Sequence, residues 1–254
     1  MRRTIATLTA FAMLSTPTLS AAQSMAEANV KLIEAYDTVK VSTIPDGIYL
    51  RTVNDPDDII WERLPEYRVA MSPAPAVHES VELRVNYDAE VSYLNMTLAK
   101  TSERFYVRLR WVDDTRDTAT AFDRFRDGVA VQFSLGDDDT SYMMGDGPDG
   151  AVNIWYWRSG EDAVQNLAAG GPGSTTLLEE QPVSGESQYF DKDGDPNEWT
   201  VVMSRPIKAQ GAHNVSLDRD VVPTAFALWQ GAEKQRDGLK SVSEGWIMLD
   251  MASE

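Results

Sequence analysis

The chain has 254 residues, no cysteine, and 40 acidic against 23 basic side chains, for a formal net charge of −17. Without a thiol it can form no disulfide, attach no c-type haem through thioethers and ligate no iron–sulfur cluster. So acidic a surface repels nucleic-acid phosphates and anionic membranes; it serves solubility, or steers a basic protein partner toward a docking face.

Residues 1–22 read as a secretory signal peptide. Arg2 and Arg3 form a basic start, Ile5 to Leu14 a short apolar core, and Ser20-Ala21-Ala22 a small-residue cleavage site before Gln23. The apolar core is too short to span a bilayer. Thr4-Ile5-Ala6 after the paired arginines favours general secretion over twin-arginine export. The mature chain, residues 23–254, is predicted to be one periplasmic domain with no membrane segment.

Ala26 to Tyr36 has helical spacing. From Val39 onward the pattern changes to short β runs: Val39–Ser42, Ile48–Leu50 after the Asp46-Gly47 turn, Ile59–Trp61, Tyr67–Met71 and Val91–Leu98. In the next run Phe105, Val107, Leu109 and Trp111 fall on one face and arginines on the other. Asp113 to Arg126 is a charged excursion, with Ala119-Thr120-Ala121-Phe122 as one helical turn. Val129 to Leu135 is a buried strand that ends at the solvated turn Gly136–Asp139. Ala151–Trp157 is a strand heavy in aromatics, and Gly160 to Ala169 a helix stopped by Gly170-Gly171-Pro172-Gly173. Residues 174–196 read as loop. Glu198–Pro206, Thr224–Trp229 and Trp246–Leu249 are the closing strands. Many short strands between Gly, Pro and Asp turns predict an all-β fold, an antiparallel two-layer β-sandwich with short helical insertions.

Few motifs carry chemistry. Asp191-Lys192-Asp193-Gly194-Asp195 imitates a calcium loop, but Pro196 and Val202 stand where an EF-hand needs glycine and a bidentate glutamate. The 2 histidines, His78 and His213, lack metal-ligand spacing and a Ser or Cys partner, so no catalytic residue is predicted. Asn95-Met96-Thr97 and Asn214-Val215-Ser216 match a glycosylation sequon. The 7 tryptophans are either core anchors or a platform for a sugar ring or a macrocycle. Tyr142-Met143-Met144-Gly145-Asp146-Gly147-Pro148-Asp149-Gly150 sets two soft thioethers at the mouth of a tight turn, ahead of the aromatic strand. These methionines are core fillers or offer a metal ligand beside an apolar wall. A second unusual stretch runs from Ala227 to Ser243: a buried strand enters a polar loop, and Lys240 stands just before the last strand.

The segments Trp229-Gln230-Gly231-Ala232 and Arg236-Asp237-Gly238-Leu239-Lys240-Ser241-Val242-Ser243 resemble the C-terminal signature of a known family. These are the haem b (gamma) subunits of periplasmic molybdenum enzymes related to dimethyl sulfoxide reductase. The group includes the gamma subunits of ethylbenzene dehydrogenase, dimethyl sulfide dehydrogenase, and chlorate and selenate reductases; the likeness leans toward the dimethyl sulfide dehydrogenase branch. Met144-Gly145-Asp146 with Val152–Trp157, and Glu198–Pro206, are similar to two further motifs in the family's order. The resemblance spans about Val39 to Met251.

It implies a β-sandwich that holds one non-covalent haem b, with Met144 and Lys240 as the axial ligands of the iron. Met143 is the alternative thioether and Lys234 the weaker alternative amine. A thioether raises the potential of haem iron, an amine ligates only when neutral, and two axial ligands leave no position open to substrate. The resemblance also implies a non-catalytic electron-transfer subunit of a heterotrimer. It would relay electrons between the iron–sulfur subunit, partner of a molybdopterin catalytic subunit, and a soluble c-type cytochrome. Trp155 and Trp157 are rings able to wall the macrocycle. The alternative reading is a carbohydrate-binding β-sandwich module without a redox cofactor.

Overall fold

The computed structural model describes residues 30–46, 54–87, 92–161, 163–191, 196–208 and 211–252. In chain order its strands are β1 (Val30–Ile33), β2 (Thr38–Lys40), β3 (Ser42–Thr43), β4 (Glu66–Pro73), β5 (Ser92–Lys100), β6 (Arg104–Val112), β7 (Gly128–Ser134) and β8 (Val152–Arg158). After them come β9 (Gln165–Ala169), β10 (Thr176–Leu177), β11 (Ser184–Phe190), β12 (Glu198–Pro206), β13 (Val221–Trp229), β14 (Ser241–Val242) and β15 (Ile247–Asp250). One short helix, α1 (Glu79–Glu82), follows β4.

Hydrogen bonding links these strands along the path β10-β9-β8-β7-β13-β14-β4-β5-β6-β12-β11. The path doubles back where β14 joins β13 to the end of β4, pairing Ser241 with Pro73 and Val242 with Ser72. Doubling back lays β6 and β12 over β7 and β8. Phe105 of β6 meets Phe133 of β7 at 6.5 Å and Trp155 of β8 at 6.1 Å. Trp157 of β8 meets Trp111 of β6 at 6.1 Å and Trp199 of β12 at 5.1 Å. The architecture is the expected two-layer β-sandwich, and its middle is aromatic. Each such ring buries roughly 150–250 Å², about 4–6 kcal/mol of transfer free energy.

The alternation foreseen in β6 holds: Phe105, Val107, Leu109 and Trp111 are buried toward the other sheet. Several other segments depart from the sequence reading. Val30–Ile33, inside the predicted Ala26–Tyr36 helix, is a strand that runs parallel to β4, because pairing with a sheet edge overrides modest helix propensity. Gly160–Ala169 is a turn followed by β9; its small residues fit helical spacing and strand alternation equally well. Residues 174–196 contain β10 and β11, mostly exposed edge strands whose polar sequences show no apolar period. Ile59–Trp61 leads into a 3-10 turn, Trp61–Arg63, with the Trp61 indole N–H donating to the Asp55 carbonyl at 2.8 Å. Ala119–Phe122 forms no helical turn: Ala121 pairs with Arg124 across a tight loop, and Phe122 is exposed. The predicted signal peptide at 1–22, the run at 48–50 and residues 192–195 of the Asp-rich loop lie outside the described residues.

Candidate functional site

Strands β7, β8 and β13 send one set of side chains into the sandwich and another outward, and the outward set forms a floor. Cross-strand register arranges it in rows: Trp229, Gly128 and Arg158; then Ala227, Ala130, Tyr156 and Gln165; then Ala225, Gln132, Ile154 and Leu167. Adjacent rows are two residues apart, so the three span roughly 13 Å of strand. Alanines at the centre keep the floor low. A Cβ on Gly128 would stand 3.2 Å from the Tyr156 ring, so glycine lets that ring lie across its row. Above the floor is a cavity of about 550 Å³, enclosed by residues from segments 74–81, 142–144, 172–175 and 237–243. That volume suits a small-molecule or cofactor site, which typically measures about 300–1,000 Å³.

Met144 enters this cavity from a strained turn. Its backbone is left-handed, with φ of 68°, and Gly145 follows at 88°. A Cβ on Gly145 would stand 2.5 Å from the Gly150 carbonyl oxygen, so only glycine fits there. Holding a side-chain-bearing residue in this region costs roughly 1–3 kcal/mol and persists only where neighbours enforce it. Here the Gly171 N–H donates to the Met144 carbonyl at 2.7 Å, and the Gly145 N–H to the Ser141 carbonyl at 2.9 Å. From the floor, Gln132 Nε2 donates to the Tyr142 carbonyl at 2.9 Å.

Lys240 enters from the other motif, one residue before β14. Its carbonyl accepts from the Ala74 N–H at 2.8 Å. Its Nζ lies 3.7 Å from the Met144 sulfur and 5.1 Å from the centre of the Trp229 ring. Among the described residues no carboxylate pairs with it. Burial lowers its ammonium to about 8, so the neutral amine is within easy reach. A soft thioether facing such an amine suits a transition metal better than calcium or magnesium. The donor set and the cavity fit a flat metal macrocycle.

The other predicted residues separate clearly. Met143 also lines the cavity, with its N–H on the Ser141 hydroxyl at 3.2 Å, but the sulfur facing Lys240 belongs to Met144. Lys234 points elsewhere and is ion-paired with Asp123 at 2.7 Å on the surface. His78 caps α1 by accepting from the Ser80 N–H at 3.1 Å, and His213 is exposed; neither lines the cavity. Trp155 and Trp157 do not wall it either. Both are buried between the sheets; the aromatic residues lining the cavity are Tyr142, Tyr156, Phe226 and Trp229, with the Tyr156 and Trp229 rings 5.1 Å apart. A sugar platform needs exposed ring faces, yet every tryptophan except Trp229 is buried. The sequon residues Asn95 and Asn214 accept from Arg68 and Asn166, each at 2.8 Å. Among the described residues no group of three His, Cys, Asp or Glu gathers as a metal site, and no helix is long and apolar enough to cross a membrane.

The floor residues Ala130, Gln132, Tyr156, Arg158, Ala225 and Ala227 escaped the sequence reading. On β7 and β13 their signal was parity: Ala130, Gln132, Ala225 and Ala227 alternate with the bulky residues that fill the sandwich. A second buried polar cluster lies away from the cavity. Asp127 accepts from the Trp199 indole at 3.0 Å, the Asp117 N–H at 2.8 Å and the Gly231 N–H at 2.9 Å. Burial, reinforced by the Asp127 charge, pushes the nearby Asp113 carboxyl up to about 7.

Residues 58–182, which include Met144 and end before Lys240, match the ethylbenzene dehydrogenase family. The chain is 56% identical over 234 residues to the gamma subunit of dimethylsulfide dehydrogenase from Rhodovulum sulfidophilum, covering 92% of this chain and 88% of that one. The chain belongs to this family of gamma subunits. A second gamma-family member, from chlorate reductase of Ideonella dechloratans, is 34% identical over 197 residues, 76% of this chain and 78% of its own. A provisionally named respiratory nitrate reductase heme subunit of Haloferax mediterranei is 34% identical over 191 residues, 74% of this chain and 65% of its own.

Proposed function

We propose that residues 23–254 form the haem b electron-transfer subunit of a periplasmic molybdoenzyme, with Met144 and Lys240 as the axial ligands. The observation that carries this reading is the 3.7 Å approach of the Lys240 amine to the Met144 sulfur over a cavity with a flat, small-residue floor. The haem relative from Haloferax mediterranei and the gamma-subunit relatives support the cofactor and the assembly. When bound, the haem supplies a one-electron couple and no open coordination position.

The chain's own residues do the rest. Met144 is pre-set by its turn, so little ordering is left for binding. Lys240 must give up a proton before it ligates, and its burial has already weakened its hold on that proton. Tyr156, Trp229 and the alanine floor would keep water away from the bound group. The partners are an iron–sulfur subunit, a molybdopterin catalytic subunit that performs the chemistry, and a soluble c-type cytochrome.

The test is the absorption spectrum of the haem-loaded protein. A low-spin Soret band is expected, shifted or lost in Met144→Ala and in Lys240→Ala and retained in Met143→Leu. Spectra of both alanine variants identical to the parent would overturn the ligand assignment.

A further inference from the structure

The floor carries a charged side chain at one end only. The row of Ala225, Gln132, Ile154 and Leu167 is apolar apart from Gln132, whose amide N–H is engaged by the Tyr142 carbonyl. The opposite row carries Trp229, Gly128 and Arg158, and the Tyr156 hydroxyl reaches into it: a Cβ on Gly128 would stand 3.3 Å from that oxygen. Among the described residues, Arg158 and Lys240 are the cations of the cavity lining, and Lys240 is turned toward Met144.

Arg158 also has charge to spare. Its Nη2 donates to Glu161 Oε1 at 2.5 Å, and Arg126 Nη1 donates to the same oxygen at 2.8 Å. Two guanidinium groups therefore share one carboxylate, and one positive charge is left over. The Nε atoms of both arginines are buried without a hydrogen-bond partner. The Arg158 side chain is 38% exposed and lines the cavity. Asp237, the carboxylate in the lining, lies in the exposed loop before Lys240, where solvent screens it. Burial raises the Tyr156 hydroxyl above its ordinary value, so it stays protonated as a neutral donor beside Arg158.

We propose that Arg158 anchors a carboxylate of the bound macrocycle and so sets which edge of the ring lies at which end of the floor. The inference rests on the haem reading above. A haem carries carboxylates on one edge only, and a cavity with one charged end and one apolar end accepts such a ring in one sense. The charge-assisted contact is made by Arg158, with the Tyr156 hydroxyl as the second donor. Arg158 touches neither axial ligand, so it acts on affinity and orientation and leaves ligation alone.

The experiment is a titration of the haem-free full chain with haem b and, separately, with its dimethyl ester, which lacks the charges but keeps the ring and iron. Arg158→Gln is expected to weaken haem b binding about tenfold to a hundredfold, the range of a hydrogen bond to a charged group, and to change ester binding about twofold at most. Arg158→Lys is expected to recover part of the loss, and the Soret band of loaded Arg158→Gln to match the parent. Equal weakening of acid and ester, or no weakening of either, overturns the anchor while the haem reading stands. A parent chain that binds neither compound overturns both.

Discussion

The two faces of the β7–β8–β13 layer share one backbone and do opposite work. The inner face presents Phe133, Trp155 and Trp157, which interlock with Phe105, Trp111 and Trp199 of the other sheet. On the outer face Ala130, Ala225 and Ala227 surround a few polar groups, and a cavity remains. Successive side chains of a strand point to opposite faces, so one segment can hold the fold together on one side and leave room on the other. The cavity arises as much from volume withheld at the alanines as from Met144 and Lys240 placed above them.

This contrast can be broken in order of expected effect. Trp155→Ala empties the inner face and should lower stability by about 3–5 kcal/mol in urea unfolding, because a large ring leaves a cavity that cannot collapse. A loss well below that range would mean the inner face is not the load-carrying side. Ala227→Leu raises the outer floor instead. Unfolding of the haem-free protein should change by less than about 1 kcal/mol, whereas haem affinity should fall by about 1–3 kcal/mol, the usual penalty of overpacking. If stability and affinity fall together, the two faces are not separable.

The pH dependences sharpen the comparison further. Lys240 sits near 8 in the folded chain against an ordinary 10.5. Below that value a proton must be displaced before the amine can ligate, so haem affinity should fall about tenfold per pH unit, a dependence absent in Lys240→Met. In the haem-free protein the unfolded chain holds more protons between those two values, so stability should rise with pH across that window. Asp113, in the buried polar cluster just past the end of β6, has the opposite sign. Its folded value is about 7 against an ordinary 3.8, so the folded state holds more protons and stability should fall as pH rises between them. Asp113→Asn should flatten that slope, measured as unfolding midpoints from pH 4 to 8; an unchanged slope would remove Asp113 from the account.

Much of the site was legible as local pattern. Met144-Gly145 before an aromatic strand and Lys240 in its polar loop stand out in the bare sequence, and the alternation of Phe105, Val107, Leu109 and Trp111 already marks a sandwich strand. Strand parity and turn chemistry are short-range properties, and short-range properties can be read from neighbours in the chain. Elements without a strong period were misread: β9 looked helical, and β11, polar and at an edge, looked like loop.

What the tertiary structure decided is which parts meet. Bulky residues occupy both faces of β8, so nothing in Val152–Trp157 says whether Trp155 or Tyr156 looks inward; the opposing sheet settles that by docking on the side of Trp155 and Trp157. Met143 and Met144 are adjacent in sequence, and the left-handed turn at Met144 selects the sulfur that faces Lys240. Arg158 and the alanine floor acquire their roles only through the pairing of β7 with β8 and β13. Local order carries the residue types, the all-β class and the two segments that hold Met144 and Lys240. Register, face and the 3.7 Å approach of two distant side chains belong to the tertiary structure, since they depend on long-range pairing that no short window of residues contains.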